Sequence, residues 1–489
     1  MKIEDLFKVQ DGEVIDNVKV IEELKSKRYI ATPETEEAGK QLDPLKHDVM
    51  NTGIRPDKWV KVDPSDPNHA ETINVTEGIT DTANLRREKV ARVALAIQKL
   101  IVKRAVSFIF GNPVTLSADA ENDKQKEVLK ALKRVMYDVK EKSVNRKVAR
   151  NLFSCTEVAE LWYPVEKKNN AYGFDSKFKL RCAVFSPLNG DALYPYFDES
   201  GDMIAFSREF TLTEGNKTKT FFETYTDQQT YMWQQATNGF EVVEGYPKEN
   251  IIGKIPVVFG NQEQVEWADV QNLIDRLEKL LSNFADTNDY HASPKIVVKG
   301  ELTGFAKKGE AGAILQLDGD DASAQYLSWQ DAPEAVKLEI ETLLRMIYTV
   351  TQTPDIAFDA VKGIGAVSGI ALKLLFMDAH LKVADHQEVF DEYLQRRLNI
   401  VKAFIGKFNT KLADEAENLM VEPIITPYMI IDEAAEVKIW ADACGGAVIS
   451  QKGAFQKAGL TKDPDADFEQ YKEEQSAANA FTIGEPTNV

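Results

Sequence analysis

The feature that most limits how this chain can fold is a pair of long amphipathic periods set close together. After "GKIPVVFGNQ", the residues Val270, Leu273, Ile274, Leu277, Leu281 and Phe284 recur at helical spacing. A second period carries Val336, Ile340, Leu343, Leu344, Ile347 and Val350. It opens on the start signals Asp331 and Pro333 and is stopped by Pro354. Each helix is about 20 residues, hence roughly 30 Å long. Only the strand-like stretches "PKIVVKG" and "AGAILQLDGDDASAQYLSW" lie between them. The geometry implied is two rods bracketing a small β module.

The stretch after the second rod, "DAVKGIGAVSGIALKLLFMDAHLKV" (359–383), sets three glycines and a lone lysine ahead of a long apolar run. Residues 353–368 read as a loop. A helix is predicted from Ser368 to Gly406, with Ile370, Leu374, Met377, Leu381, Leu394, Leu398, Val401 and Ile405 in periodic positions. At nearly forty residues it is far longer than an ordinary globular helix.

Upstream, residues 1 to about 80 are polar and proline-dotted and read as an arm with little core of its own. Val90, Val93, Ala94, Ile97, Ile101, Ala105 and Phe108 predict a helix that ends at Gly111 and Pro113; its seven cations from Arg86 to Arg104 face one acid, Glu88. A second helical stretch covers roughly 122–150. From about Cys155 to Val258 the segments are short, aromatic and β-branched, with turn signals between them, which predicts an antiparallel sheet region. The mixed C-terminal part ends in an acidic tail, "QYKEEQSAANAFTIGEPTNV", expected to fray.

Composition narrows the function classes. The formal charge of −19 argues against tight wrapping of nucleic acid, which scales with cations placed on phosphates, but not against a surface that nucleic acid slides past. "VALAIQKLIVKRAVSFIF" is the longest apolar stretch, and Gln98, Lys99, Lys103 and Arg104 break it, so no membrane span is expected. The first residues, "MKIEDLFKVQDGEV", lack the pattern of a signal peptide. Cys155, Cys182 and Cys444 are scattered, which suggests reduced thiols in a cytoplasmic setting.

Enzyme chemistries find little support. "GIGAVS" puts Ser368 where a dinucleotide fingerprint needs its last glycine, and no G-x-x-x-x-G-K-[ST] string occurs. Gly363, Gly365 and Gly369 more simply provide mobility. His380 and His386 are six apart, about 240° round a helix, so they do not converge on a metal. His47, His69 and His291 read as ordinary surface or core histidines. In "DPDADFEQYKEE", Phe468 sits where a calcium loop demands glycine, and the run reads as a helix start. "LDGDDAS" (317–323) reads as a hairpin turn rather than nuclease carboxylates. The basic stretch 86–104 reads as a solvated face, or as cations pairing with acids of a neighbouring subunit, because no aromatics for base stacking are interleaved. No cofactor and no metal is expected.

The order of parts then resembles the SPP1-type family of tailed-bacteriophage portal proteins. The residues that carry the resemblance are "VKRAVSFIFGNPVTL" (102–116), "GKIPVVFGNQEQVEWADVQNLIDRLEKLLSNFADTND" (253–289) and "TQTPDIAFDAVKGIGAVSGIALKLLFMDAHLKV" (351–383). The resemblance implies an α+β portal fold. Its parts would be a wing with the N-terminal arm (1–264), a stem helix (265–291), a β-rich clip (292–331), a second stem helix (332–352) and a tunnel loop (353–368). Residues 369–489 would form a long wing helix, a helical crown and the tail. It implies no enzymatic activity but a ring, usually of twelve copies, at the capsid portal vertex of the virion, assembled in the host cytoplasm. Double-stranded viral DNA would pass through the ring during genome packaging, retention and ejection. Terminase large subunit, a head-completion or adaptor protein, and the major capsid and scaffolding proteins would be partners. Asp359, Lys362, Gly363 and Gly365 would then face the DNA from the tunnel loop. Asp269, Asp275, Glu278, Asp286, Glu339 and Glu341 would be candidates for an acidic channel wall. Two other readings, a nucleic-acid enzyme of the packaging machinery and a head–tail adaptor ring, are set against it.

Overall fold

A computed structural model describes residues 16–26, 34–61, 85–215, 217–291, 295–304, 316–327, 332–355, 376–429, 433–458 and 464–482. The chain divides into two compact units, Met1–Pro354 with Ala379–Pro427, and Asp355–Asp378 with Tyr428–Val489.

The larger unit opens with helix α1 (Asn17–Lys25), whose N-cap Asp16 accepts from the backbone N–H of Val18 at 3.1 Å. Its face of Val20, Ile21 and Leu24 is buried. Helix α2 (Thr35–Leu42) follows, and then strands β1 (Lys58–Lys61) and β2 (Leu85–Glu88), which pair antiparallel. The predicted arm therefore supplies core residues to the unit.

Helix α3 (Ile97–Phe110) begins later than its apolar spacing suggested, because residues 85–88 are strand and 89–96 are neither helix nor strand. Strand β3 (Thr115–Ala118) leads to α4 (Asp123–Val139) and α5 (Glu141–Cys155), joined at Lys140 in the left-handed region, φ 61°. Asn122 caps α4 by accepting from the N–H of Gln125. The predicted stretch 122–150 is thus two helices, each with one buried apolar stripe.

The β region runs β4 (Glu157–Asn169), β5 (Ser176–Phe185), β6 (Ala192–Phe197), β7 (Met203–Glu214), β8 (Lys217–Tyr225), β9 (Gln229–Ala236), β10 (Gly239–Val242), β11 (Lys248–Glu249) and β12 (Val257–Asn261). It forms two antiparallel sheets, one in the order β10-β9-β8-β7-β6 with β11 on β9, the other β12-β4-β5. Alternation along the strands fills two cores. Tyr196, Ala205, Phe222 and Trp233 pack on α1, whereas Leu193, Phe206 and Tyr225 pack on Ala159, Leu161, Phe185, Val257 and Phe259 of the second sheet.

The rest of the unit holds α6 (Gln271–His291), β13 (Lys295–Gly304), β14 (Gln316–Leu327), α7 (Ala332–Val350), α8 (Met377–Phe408), α9 (Ala413–Asn418) and β15 (Val421–Ile424), the last pairing with β3. β13 and β14 form a two-stranded antiparallel ribbon. Here "LDGDDAS" departs from the expected hairpin turn. It lies inside β14, where Ser323 pairs with Lys299 and Asp318 with Glu301, so four residues oppose one. The Gly/Asp turn chemistry is spent on a mid-strand irregularity.

Helix α8 is the spine, 32 residues and about 48 Å long. Phe390 meets Phe110 edge-on at 5.0 Å, and Tyr393 lies so close to β12 that a Cβ at Gly260 would sit 2.9 Å from its ring. Deep in the unit, Arg397 donates through Nε and Nη2 to both oxygens of Glu160 at 2.7 and 2.6 Å, and through Nη1 to Asn145; Trp162 donates to the same carboxylate. Of the predicted long helix, residues 368–375 lie outside the described residues.

In the smaller unit, α10 (Glu433–Gly445), α11 (Gln451–Ala458) and α12 (Pro464–Thr482) carry a cluster in which Phe455 meets Phe468 at 5.6 Å and Tyr471 at 5.5 Å. The calcium-like run from Pro464 on is continuous helix, and Phe468 is buried. The tail expected to fray stays helical to Thr482.

Candidate functional site

Helices α6 and α7 pack against each other, bracketing the β13–β14 ribbon in sequence, with an exposed ion pair from Arg276 to Glu339 at 2.7 Å. The candidate wall acids fall into two groups. Glu341 is exposed. Asp269 accepts from the Gln264 side chain at 3.0 Å, and Asp275 accepts from Gln271 at 2.8 Å. Desolvation, with the nearby carboxylates of Glu278 and Asp48, pushes the Asp275 carboxyl up. Glu278 departs from the expected wall: it is 1% exposed and points into the subunit. Asp286 is likewise engaged within the chain, with Arg55 at 2.8 Å.

The reason lies in residues 91–95. Three of their backbone N–H groups have no strand partner and donate instead to side chains of α6: Ala91 to Asp286 at 2.6 Å, Val93 to Ser282 at 2.9 Å, Leu95 to Glu278 at 2.7 Å. The spacings match. Four residues of helix rise about 6 Å, and two of extended chain span about 6.6 Å. A polar stripe at every fourth position of α6 therefore serves as the pairing edge for an extended strap. Arg55 ties the same strap from the other side, donating to the carbonyl of Ala91 and to Asn283 and Asp286, while Arg92 pairs with Asp57 at 2.7 Å.

His47 completes this arrangement. Its Nε2 lies 2.8 Å from the carbonyl of Gln41, which only accepts, so Nε2 carries a hydrogen. Nδ1 lies 2.7 Å from Glu278 Oε1. A bare Nδ1 would face that carboxylate lone pair to lone pair, so a proton sits between them. Burial pulls the imidazole pKa down, but the bonds to Glu278 and Gln41 outweigh it and the net shift is upward.

Cations also hold the end of α7. Arg104 donates to the carbonyl of Pro354 at 2.6 Å with its guanidinium 5.4 Å from the Tyr348 ring centroid. Lys382, on α8, donates to the carbonyl of Thr351 at 3.0 Å and pairs with Glu266 at 2.6 Å. His386 lies 3.1 Å from the same carboxylate. Burial would raise the Glu266 pKa, but His386 and Lys382 lower it on balance. One lysine thus joins the end of α7 to the first turns of α8. Asp359, Lys362, Gly363 and Gly365 lie outside the described residues.

Sequence reasoning missed the strap and its histidine. Glu278, Ser282 and Asp286 at i, i+4, i+8 on a helix that is otherwise amphipathic were the available signal. The basic stretch 86–104 is likewise partly intrachain, since Arg87, Arg92 and Arg104 find partners in the same subunit. Among the described residues no group of three metal-ligating side chains converges, and no helix is long and apolar enough to cross a membrane.

Two long packed helices thus flank a β ribbon in sequence, and Lys382 ties the end of the second to the spine helix. Residues 44–480 match the family described as phage portal protein, SPP1 Gp6-like, and the chain belongs to that family. Its role is that of a phage portal, the head–tail connector. No curated protein matches. Among solved structures, the chain is similar to one in the virion of a native gene transfer agent particle, with TM-score 0.35, 10% identity, and coverage of 74% of this chain and 88% of that one. It is also similar to one in the neck of an empty gene transfer agent particle computed with C6 symmetry, with TM-score 0.35, 11% identity, and coverage of 74% and 89%.

Proposed function

We infer that twelve copies of this chain close into a ring at the capsid vertex of the virion, and that double-stranded viral DNA passes through its bore during packaging and ejection. The single observation that carries this is the family match over residues 44–480, and the sequence order α6, ribbon, α7 supports reading a stem and clip there. In this reading 1–264 is wing, 265–291 and 332–352 are the stem, 292–331 is the clip, 353–368 is the tunnel loop, and the remainder is spine helix, crown and tail. The clip docks the terminase large subunit and later a head-completion protein, and the chain does no chemistry on the DNA. Closed rings need head-to-tail interfaces, and α7 supports one by leaving Leu338, Met346 and Val350 exposed along one side.

The acidic wall is drawn from Asp269, Asp275, Glu339 and Glu341, with Glu278 removed because it is buried within the subunit. Lys362 is the one cation of "DAVKGIGAVS", so each subunit offers DNA a single weak contact from the loop. Negative-stain microscopy of the purified full chain tests the reading: rings with a central hole are expected, and a stable monomer overturns it. With rings in hand, Lys362→Ala is expected to leave assembly intact and alter DNA packaging or retention in an infection assay. Wild-type packaging by that variant removes the loop contact.

A further inference from the structure

The net charge of −19 is not evenly spread. Helices α4 and α5, residues 123–155, hold ten Lys and Arg against four Asp and Glu. Two of the four acids are turned away from solvent. Asp138 is 7% exposed between Arg134 and Lys179, and Glu141 lies beside Arg397 at the buried centre. What the two helices present outward is therefore almost purely cationic. Lys124, Lys130, Lys133, Lys142, Lys147 and Arg150 are all exposed, and among the described residues none has a carboxylate within 4.0 Å.

A face that only had to be soluble would interleave acids at i+4. Here Lys126, Lys130 and Arg134 follow one another at that spacing, as do Lys142, Arg146 and Arg150. Like charges so placed destabilise a helix. Arg146 donates to the carbonyl of Phe110 at 3.0 Å and Arg134 pairs with Asp138. The packing of the subunit gives Lys130, Lys142 and Arg150 no such role, because the buried stripes, Val128, Leu132, Val135 and Met136 on α4 and Val148, Leu152 and Phe153 on α5, are apolar. A protein partner fits poorly as the source of compensation. Protein interfaces have an apolar centre and are depleted in lysine, whereas Tyr137, flanked by Arg134 and Lys140, is the one large hydrophobic these helices expose among the described residues.

We propose that the outer face of α4 and α5 is a sequence-independent binding surface for the phosphate backbone of duplex DNA, separate from the bore. Rows of lysine repeating about every 6 Å along a helix suit a phosphate chain, and no group here is placed to read a base edge. The rest of the chain, more acidic than the whole, repels DNA and confines contact to this face. Only the choice of DNA as the polyanion rests on the portal reading.

The test uses the purified full-length chain and a labelled 30-base-pair duplex of arbitrary sequence, titrated over a range of salt. The variant combines Lys130→Glu, Lys133→Glu, Lys147→Glu and Arg150→Glu, all exposed; Lys99→Glu with Lys103→Glu on α3 is the control. For wild type, about six phosphate contacts give a log–log salt slope of roughly −5. The fourfold variant is expected to bind at least tenfold more weakly, with the slope flattened by about 3, and the control to change little. Its thermal midpoint should hold or rise, since Lys126 and Arg134 then each gain an acid four residues away, at position 130. Unchanged affinity and slope, or an equal loss in the control, overturns the proposal. So does a variant that keeps its DNA affinity but no longer forms rings, which makes the face a subunit interface. Microscopy of the same samples separates the two readings. Wild-type rings that ignore DNA sink this surface alone, and wild-type DNA binding without rings sinks the ring alone.

Discussion

The two most deeply buried carboxylates of this subunit, Glu160 at 0% exposed and Glu278 at 1%, are neutralised by different chemistry. Glu160 meets a guanidinium that never loses its charge, two parallel bonds from Arg397, with Trp162 and Asn145 filling out the network. Glu278 meets an imidazole and a backbone N–H. The first arrangement locks α8 to β4 and α5 at any ordinary pH. The second ties α6 to His47 only while the shared proton is present. One centre is a fixed rivet and the other a titratable one.

The sharpest way to break that comparison is at the rivet. Arg397→Met keeps much of the side-chain volume but leaves the Glu160 carboxylate buried without a countercharge. The expected loss is about 3–5 kcal/mol, read as a fall in the denaturant midpoint with the slope preserved. A loss below about 1 kcal/mol would mean that water or another group reaches Glu160, on the same scale of buried-pair energies.

At the strap the expected effect is smaller, because each group there makes fewer bonds. Glu278→Ala strands the N–H of Leu95 and the Nδ1 of His47, and about 2 kcal/mol should go. The pH dependence identifies the mechanism. The folded His47 pKa lies above its unfolded value of about 6.5, so its contribution is complete below that value and is lost as pH rises through the folded one. The stability advantage of wild type over His47→Gln should therefore shrink from mildly acidic to alkaline pH. An advantage that stays level across that window makes the contact merely steric. Backbone exchange at Val93 and Leu95, followed by NMR or mass spectrometry, should accelerate in Glu278→Ala while that at Val158 and Ala159 does not.

These two centres also show what could be read beforehand. Helices α6 and α7 and the alternating strands of the sheets were legible because one face of each is apolar, and periodicity records that directly. The onset of α3 was not. Val90, Val93 and Ala94 suit a helix by spacing, yet the strap stays extended because α6, nearly two hundred residues later, supplies acceptors at matching intervals. A local pattern cannot record a partner so distant. Glu278 was misplaced for the same reason: an acid on an amphipathic helix normally faces solvent, and only the strap and His47 make its burial tolerable. Turn chemistry misled in β14, where "LDGDDAS" bends a strand instead of ending it. The order of sheets, helix, ribbon, helix and long helix, by contrast, holds among the described residues, since it depends on which elements exist rather than on where each ends.

The weakest link sharpens the comparison from the other side. Arg276 and Glu339 join α6 to α7 at 2.7 Å, the same distance as His47 to Glu278, but their side chains are 50% and 40% exposed. Geometry of that quality in water contributes little, because solvent screens the pair and two long side chains lose freedom to hold it. Arg276→Ala should cost less than about 0.5 kcal/mol in the isolated chain, and less again at high salt. In the proposed ring, helices α6 and α7 of neighbouring copies would exclude water from this surface, so the same substitution should matter more there. Comparing the variant as disassembled chain and as ring, by thermal melts at matched salt, separates the two cases. An equal, negligible change in both would place the Arg276–Glu339 pair on a face that no neighbouring subunit covers.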